Sequence, residues 1–263
     1  MTFQTIAAEQ TGRVLVITLN RPDNMNAINL ELARELCQIA EQTGQNPDIG
    51  AVIITGAGNK VFCAGGDLQA FNAFSPEMGA HIKQVTDYFH RAICLFSEMS
   101  APVIAAINGV AAGGGLSMVG FPELAIASQS AKFVSAYTKI GLSPDGSSSF
   151  FMPRIIGIRR YYELVLTNRT LSAEEACDWG LVSEVVDDDQ LLSRAMELAQ
   201  SIADGPQPSY RCIKSLVMTS FDSDLTAQLD KEAGFLSDCA DSDDGIEGIK
   251  AFLAKRVPQF NKS

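Results

Sequence analysis

Apolar positions along the chain fall into two rhythms. Short β-branched or alternating runs at Arg13–Leu19, Ala51–Thr55, Val103–Ile107, Ala125–Ser128, Lys132–Ser135 and Leu181–Val186 predict strands. Between them, spacings of three and four predict helices. Asn29 stands where a cap is wanted, and Leu32, Leu36, Ile39 and Ala40 follow at helical intervals as far as Gly44. Met78–Met99, Leu116–Leu124, Tyr161–Asn168, Ala173–Gly180 and Gln190–Ala203 read the same way, with Trp179 as a core residue. Asn20–Asp23 is a predicted turn and Ile140–Pro153 a predicted loop.

The order predicts an α/β protein built from repeated strand–strand–helix units: strands near 14 and 52, strands near 104 and 125, and a third unit from 132 onward. No exact sequence repeat accompanies them. From Pro206 the pattern changes to helical segments at Ser209–Ser220, Leu225–Cys239 and Gly245–Ala254, with too little apolar surface for a core of their own. The expectation is a core over residues 1–200 and a helical oligomerisation region over residues 201–263, packed on another subunit.

Composition narrows the class. A chain of 263 residues with 46% hydrophobic content buries a full core. No apolar run is long enough to span a bilayer, and Met1–Ile6 lacks a secretory pattern, so the expectation is a soluble, unexported, cytoplasmic protein. The formal net charge of −11 argues against nucleic acid or an anionic membrane as partner. Cys37, Cys63, Cys94, Cys177, Cys212 and Cys239 have no metal-ligand spacing and read as buried thiols in a reducing compartment. Cys63 has no basic sequence neighbour to lower its pKa, which favours packing over nucleophilic work.

The chemistry is carried by glycine. Asn108–Met118 follows a predicted strand and contains Gly113, Gly114 and Gly115, where backbone N–H groups are open to close approach. It matches neither the phosphate-loop nor the dinucleotide pattern. Two readings stay open for this stretch alone: an oxyanion hole, or close helix–sheet packing around small residues. Val61–Leu68, Val-Phe-Cys-Ala-Gly-Gly-Asp-Leu, is a second glycine-rich turn after a strand, and two such turns can each supply one N–H to the same oxygen.

Phe-Cys-Ala-Gly-Gly-Asp-Leu together with Pro-Val-Ile-Ala-Ala-Ile-Asn-Gly-Val-Ala-Ala-Gly-Gly-Gly resembles the paired signature of the enoyl-CoA hydratase/isomerase (crotonase) family, from about residue 13 to the C-terminus. The resemblance implies a crotonase-like spiral of ββα turns with a C-terminal helical trimerisation region, hence a homotrimer or hexamer. It also implies an acyl-CoA thioester substrate with no separate cofactor or metal. The oxyanion donors would be the N–H groups of Gly66 and Gly114. Met25, Ala27, Ala64, Asp67 and Leu68 would lie along the coenzyme A, with Phe252 and Lys255 meeting it from the C-terminus, in the same or a neighbouring subunit. Many relatives carry a basic residue where Met25 stands, which makes Arg21 a candidate substitute.

Two glutamates of family hydratases fall by resemblance on Ser117 and Tyr137, neither of which is a carboxylate base at neutral pH. Asp145, by itself a turn residue in Pro-Asp-Gly, corresponds to the single acid/base of an isomerase branch. There, a pKa raised by an apolar acyl chain would suit it to move a proton from C2 to C4 of a 3-enoyl thioester. His81 reads as a packed or surface residue. His90, twelve residues before Pro102, matches a histidine that is a base in the 4-chlorobenzoyl-CoA dehalogenase-like branch. The alternatives are therefore a dehalogenase- or hydrolase-like enzyme using Asp145, His90 and Tyr137, an atypical hydratase, and a non-catalytic CoA-binding scaffold.

Overall fold

The structure, a computed structural model, describes residues 3–261. β1 (Ile6–Thr11) and β2 (Val14–Leu19) form a hairpin, and α1 (Leu30–Gly44) leads to β3 (Ala51–Gly56) and β4 (Val61–Cys63). α2 (Leu68–Asn72) and α3 (Met78–Glu98) precede β5 (Val103–Ile107), β6 (Val110–Ala112) and α4 (Gly114–Gly120). Next come β7 (Leu124–Ser128), β8 (Lys132–Val134), α5 (Ser148–Ile156), α6 (Ile158–Thr167), β9 (Leu171–Ser172), α7 (Ala173–Asp178), β10 (Glu184–Val186) and α8 (Leu191–Ala203). The C-terminal helices are α9 (Gln207–Thr219), α10 (Leu225–Asp241) and α11 (Asp243–Leu253).

From β3 to β8 successive strands alternate between two sheets. One has the order β1-β2-β3-β5-β7-β10 and the other β4-β6-β8-β9. β2, β3, β5, β7 and β10 run parallel, as do β4, β6 and β8. Each turn of this spiral, β3 with β4, β5 with β6 and β7 with β8, places one strand in each sheet. The predicted pairs near 14 and 52 and near 104 and 125 are instead neighbours within the larger sheet, because the second strand of each turn is too short to show in the apolar pattern. β3 is buried on both faces, as a central parallel strand must be. Its Val52 and Ile54 join the main core, while Ala51 and Ile53 meet Ala195, Ala199 and Ala203 of α8 on the other side.

Several elements depart from the sequence reading. α4 begins at Gly114 and stops at Gly120, so Leu124 belongs to β7. Half of the predicted loop at Ile140–Pro153 is helix α5, which tolerates Pro153. β1, β4, β6 and β9 give too short or too polar a pattern to be predicted. Only Cys37 and Cys63 of the thiols are buried. Cys94 is exposed and the other three are half-buried, because their helices lie at the surface. Trp179 is half-buried, with the guanidinium carbons of Arg169 and Arg160 4.7 and 5.2 Å from its ring centroid.

α1 forms as predicted, with Asn29 accepting the Leu32 N–H at 2.9 Å. Its buried Glu35 accepts the N–H groups of Gln4 and Thr5 at 2.6 and 2.8 Å, which ties the N-terminal segment to the core. The C-terminal helices are attached to the same chain's core at Lys214 of α9. Its buried ammonium lies 3.0 Å from Glu123 and donates to the carbonyls of Phe96 and Ala101. Burial pulls its pKa below the ordinary lysine value against the opposing pull of Glu123. α10, by contrast, buries no residue.

Candidate functional site

The two glycine turns leave neighbouring strands of the smaller sheet and are pressed together by backbone contacts. Gly65 has φ +88°, and a Cβ there would lie 2.7 Å from the Ala112 carbonyl and 3.0 Å from the Gly114 nitrogen. A Cβ on Gly115 would stand 2.0 Å from the Cys63 carbonyl. Glycine is thus required by packing as well as by conformation. The packing reading of the sequence motif holds here.

The Met25–Ile28 segment is stitched to the first turn. Ala64 donates to the Met25 carbonyl at 3.1 Å, Ile28 to the Gly65 carbonyl at 2.7 Å, and Asp67 to the Ile28 carbonyl at 2.9 Å. These bonds are made by the residues on either side of Gly66, whose own N–H has no hydrogen-bond partner among the described residues. Gly114 is the first residue of α4, so its N–H has no acceptor within the helix. Gly66 and Gly114 line one cavity of about 320 Å³, with Ile28, Phe71, Phe89, Tyr137, Leu142 and Asp145. Ile82, Val85, Thr86 and Phe89 contribute a stripe of α3 at helical spacing.

Asp145 is the only carboxylate among the described residues lining that cavity. Its Oδ1 lies 2.8 Å from His90 Nε2, with the two side chains 35% and 47% exposed. The hydrogen bond to Asp145 raises the His90 pKa above its ordinary value, against a smaller lowering by burial. The imidazolium is thereby favoured, and it holds the carboxylate as a charged partner. Tyr137 is driven well above the usual phenol range, mainly by burial, so its hydroxyl stays neutral.

Ser117 and Tyr137 both turn toward the Asp145 main chain. Ser117 Oγ donates to the Asp145 carbonyl at 2.6 Å, and Tyr137 OH approaches the same oxygen at 3.4 Å. The Asp145 loop continues through Gly146 at φ +63° and Ser147 at φ +68°. A Cβ on Gly146 would meet the Phe89 ring at 2.6 Å. A larger cavity of about 990 Å³ lies between α3, α5, α9 and α10, beyond this loop, and Ser147 lines it. None of the glycine-turn residues reaches it.

Other predicted residues divide. Met25 and Leu68 are exposed beside the first turn, Ala64 is half-buried and Ala27 buried. Arg21 is not free to replace a basic residue at Met25: it pairs with Asp67 at 2.9 Å and donates to the Ala27 carbonyl. Asp67 is buried. Its second oxygen caps α2 by accepting the Ala70 N–H at 3.0 Å, so its carboxylate holds the turn instead of facing a ligand. Phe252 and Lys255 are exposed at the end of α11 and do not line the cavity. His81 is buried and stacked on Phe74 at 3.7 Å. The structure brings together Gly66, Gly114, Tyr137 and Asp145, with His90 bonded to the last. The loop-holding contact of Ser117 was not legible, since the residue is far from Asp145 in sequence.

A family model described as enoyl-CoA hydratase/isomerase matches residues 9–263. A 1,2-epoxyphenylacetyl-CoA isomerase of Escherichia coli is 37% identical, covering 94% of each chain. A 4-chlorobenzoyl coenzyme A dehalogenase-2 of Arthrobacter is also 37% identical, over 81% of this chain and 77% of that protein. The crystal structure of an enoyl-CoA hydratase from Bacillus anthracis superposes with a TM-score of 0.93 at 32% identity, over 99% of this chain and 100% of the other.

Proposed function

The chain belongs to the enoyl-CoA hydratase/isomerase family, and within it we propose that it is an isomerase that shifts a double bond in an enoyl-CoA thioester, with Asp145 as the single acid/base. The observation that carries this reading is one carboxylate in a cavity that Gly66 and Gly114 also line. The thioester oxygen sits between the Gly66 and Gly114 donors, which stabilise the negative charge that develops as a proton leaves C2. Asp145 takes that proton and returns one at C4, so the electrons of the 3,4 double bond move to 2,3. No electron leaves the substrate, and the scheme needs no redox cofactor; coenzyme A is part of the substrate. Hydration would need a second group to activate water, and the hydroxyls of Ser117 and Tyr137 are occupied with the Asp145 loop.

Asp145 must be ionised to act as base, and its carboxylate stands 2.8 Å from His90 Nε2. A second reading, attack by Asp145 on the halogen-bearing ring carbon of an aryl-CoA thioester with loss of chloride, followed by hydrolysis of the resulting aryl ester by His90-activated water, is favoured by the 2.8 Å His90–Asp145 contact and by the dehalogenase relative. It requires neutral imidazole, which the same hydrogen bond disfavours.

Incubation with 3-hexenoyl-CoA and with crotonyl-CoA in deuterated water, followed by mass spectrometry, tests the choice. The isomerase reading expects conversion of the 3-enoyl to the 2-enoyl thioester, no hydration of crotonyl-CoA, and a loss of about 10²–10⁴-fold in Asp145→Asn. Hydration of crotonyl-CoA, or chloride release from 4-chlorobenzoyl-CoA lost in both Asp145→Asn and His90→Gln, overturns it.

We also propose a homotrimer or hexamer, supported by the exposed Leu225, Leu236, Leu253 and Val257 of the C-terminal region. In that assembly Phe252 and Lys255 meet the coenzyme A of a neighbouring subunit. Light scattering of the purified protein is expected to give three or six times the chain mass, and a monomer overturns this assignment.

A further inference from the structure

We propose that Ser117 is a positioning residue, whose hydroxyl fixes the Asp145 main chain and so sets where the carboxylate stands over the cavity. This rests on the reading of Asp145 as the base. Ser117 is fully buried on α4, three residues after Gly114, and residues three apart share a helix face. One short, wholly buried helix therefore carries both an oxyanion donor and the contact that holds the acid/base loop. The spacing between the two halves of the site is built into a single rigid element.

The loop needs such a hold. Gly146 and Ser147 both adopt left-handed backbone conformations, which an L-serine does not favour. The carbonyl of Asp145 receives a weak bond from Ser148 N–H at 3.4 Å, a long contact from Tyr137 OH at 3.4 Å, and one short bond, from Ser117 at 2.6 Å. A Cβ on Gly146 would lie 3.0 Å from Ser117 Cβ, so the loop is seated directly on this side chain. The hydroxyl has one proton to give, and its other oxygen neighbours, the Gly113 carbonyl and Tyr137 OH, are both at 3.4 Å. Its strong bond goes to Asp145.

The test compares Ser117→Ala, Ser117→Cys and Tyr137→Phe with wild type and Asp145→Asn on a 3-enoyl-CoA substrate. Ser117→Ala is expected to lower kcat about tenfold with KM within about twofold of wild type, because the oxyanion N–H groups and the thioester-binding turns are untouched. Amide exchange at residues 145–148 should accelerate in the same variant. Ser117→Cys, which keeps the shape and a weak donor, should fall between Ala and wild type; it carries the test alone if the alanine variant fails to fold. Tyr137→Phe should lose less than Ser117→Ala. Wild-type kcat and unchanged loop exchange in a folded Ser117 variant overturn the proposal, provided Asp145→Asn is inactive. Full activity in Asp145→Asn overturns the underlying reading instead, whatever the Ser117 variants do.

Discussion

The Gly66 and Gly114 turns and the Asp145 loop line the same cavity but are held in unlike ways. The turns are fixed backbone against backbone: the contacts that exclude a Cβ from Gly65 and Gly115 are with the main chain at Ala112, Gly114 and Cys63. The loop depends chiefly on a serine hydroxyl, a long tyrosine contact and a part-exposed histidine. Main-chain donors positioned by strand packing cannot be altered without altering the fold. Side-chain contacts can be exchanged one at a time. On the proposed reading, electrostatic stabilisation of a thioester oxygen is thus tied to the architecture, while acid–base chemistry is free to change upon it. The relatives named for isomerase, dehalogenase and hydratase activities accord with that division.

The strongest way to break the comparison is to disturb the turns. Gly65→Ala places a Cβ in a left-handed backbone and against both the Ala112 carbonyl and the Gly114 nitrogen, so it should push the two donors apart. Loss of one donor costs about 2.7–4 kcal/mol, or roughly 10²–10³ in kcat. Isomerase kinetics beside a thermal melt check it: near-normal kcat in a folded Gly65→Ala protein would falsify the claim that backbone packing sets the oxyanion site.

The smaller effect is at His90. Its pKa lies above 6.5, so the imidazolium–Asp145 pair is fully present below that value and lost as pH rises through the raised folded-state pKa. Asp145 then loses its charged partner, so kcat should show an inflection on the alkaline side of 6.5. His90→Gln, which keeps a donor but has no titration, is expected to change kcat by only a few fold and to abolish that inflection. A pH–kcat profile identical to wild type would remove the charged pair from the mechanism and make His90 no more than a surface neighbour of Asp145.

The sequence by itself determined the α/β class, the strand runs that cross the larger sheet, the capped helix after Asn29 and the two glycine turns. Those features are local. Strand and helix periodicity reports burial of one face, and glycine at a strand exit reports a backbone requirement that no neighbour in space can supply. The resemblance to a family then joined the two turns into one site.

Tertiary structure decided what depends on residues distant in sequence. β4 and β6 are three residues each, too short for a periodic signal, and exist because the spiral stacks them. Arg21 looked available for coenzyme A until folding carried Asp67 to its guanidinium. Ser117 looked like a missing glutamate until the chain returned twenty-eight residues later and set the Asp145 carbonyl on its hydroxyl. Pairings of this kind are absent from local pattern, because a polar side chain's partner is fixed by where the folded backbone places an opposite charge or a free carbonyl.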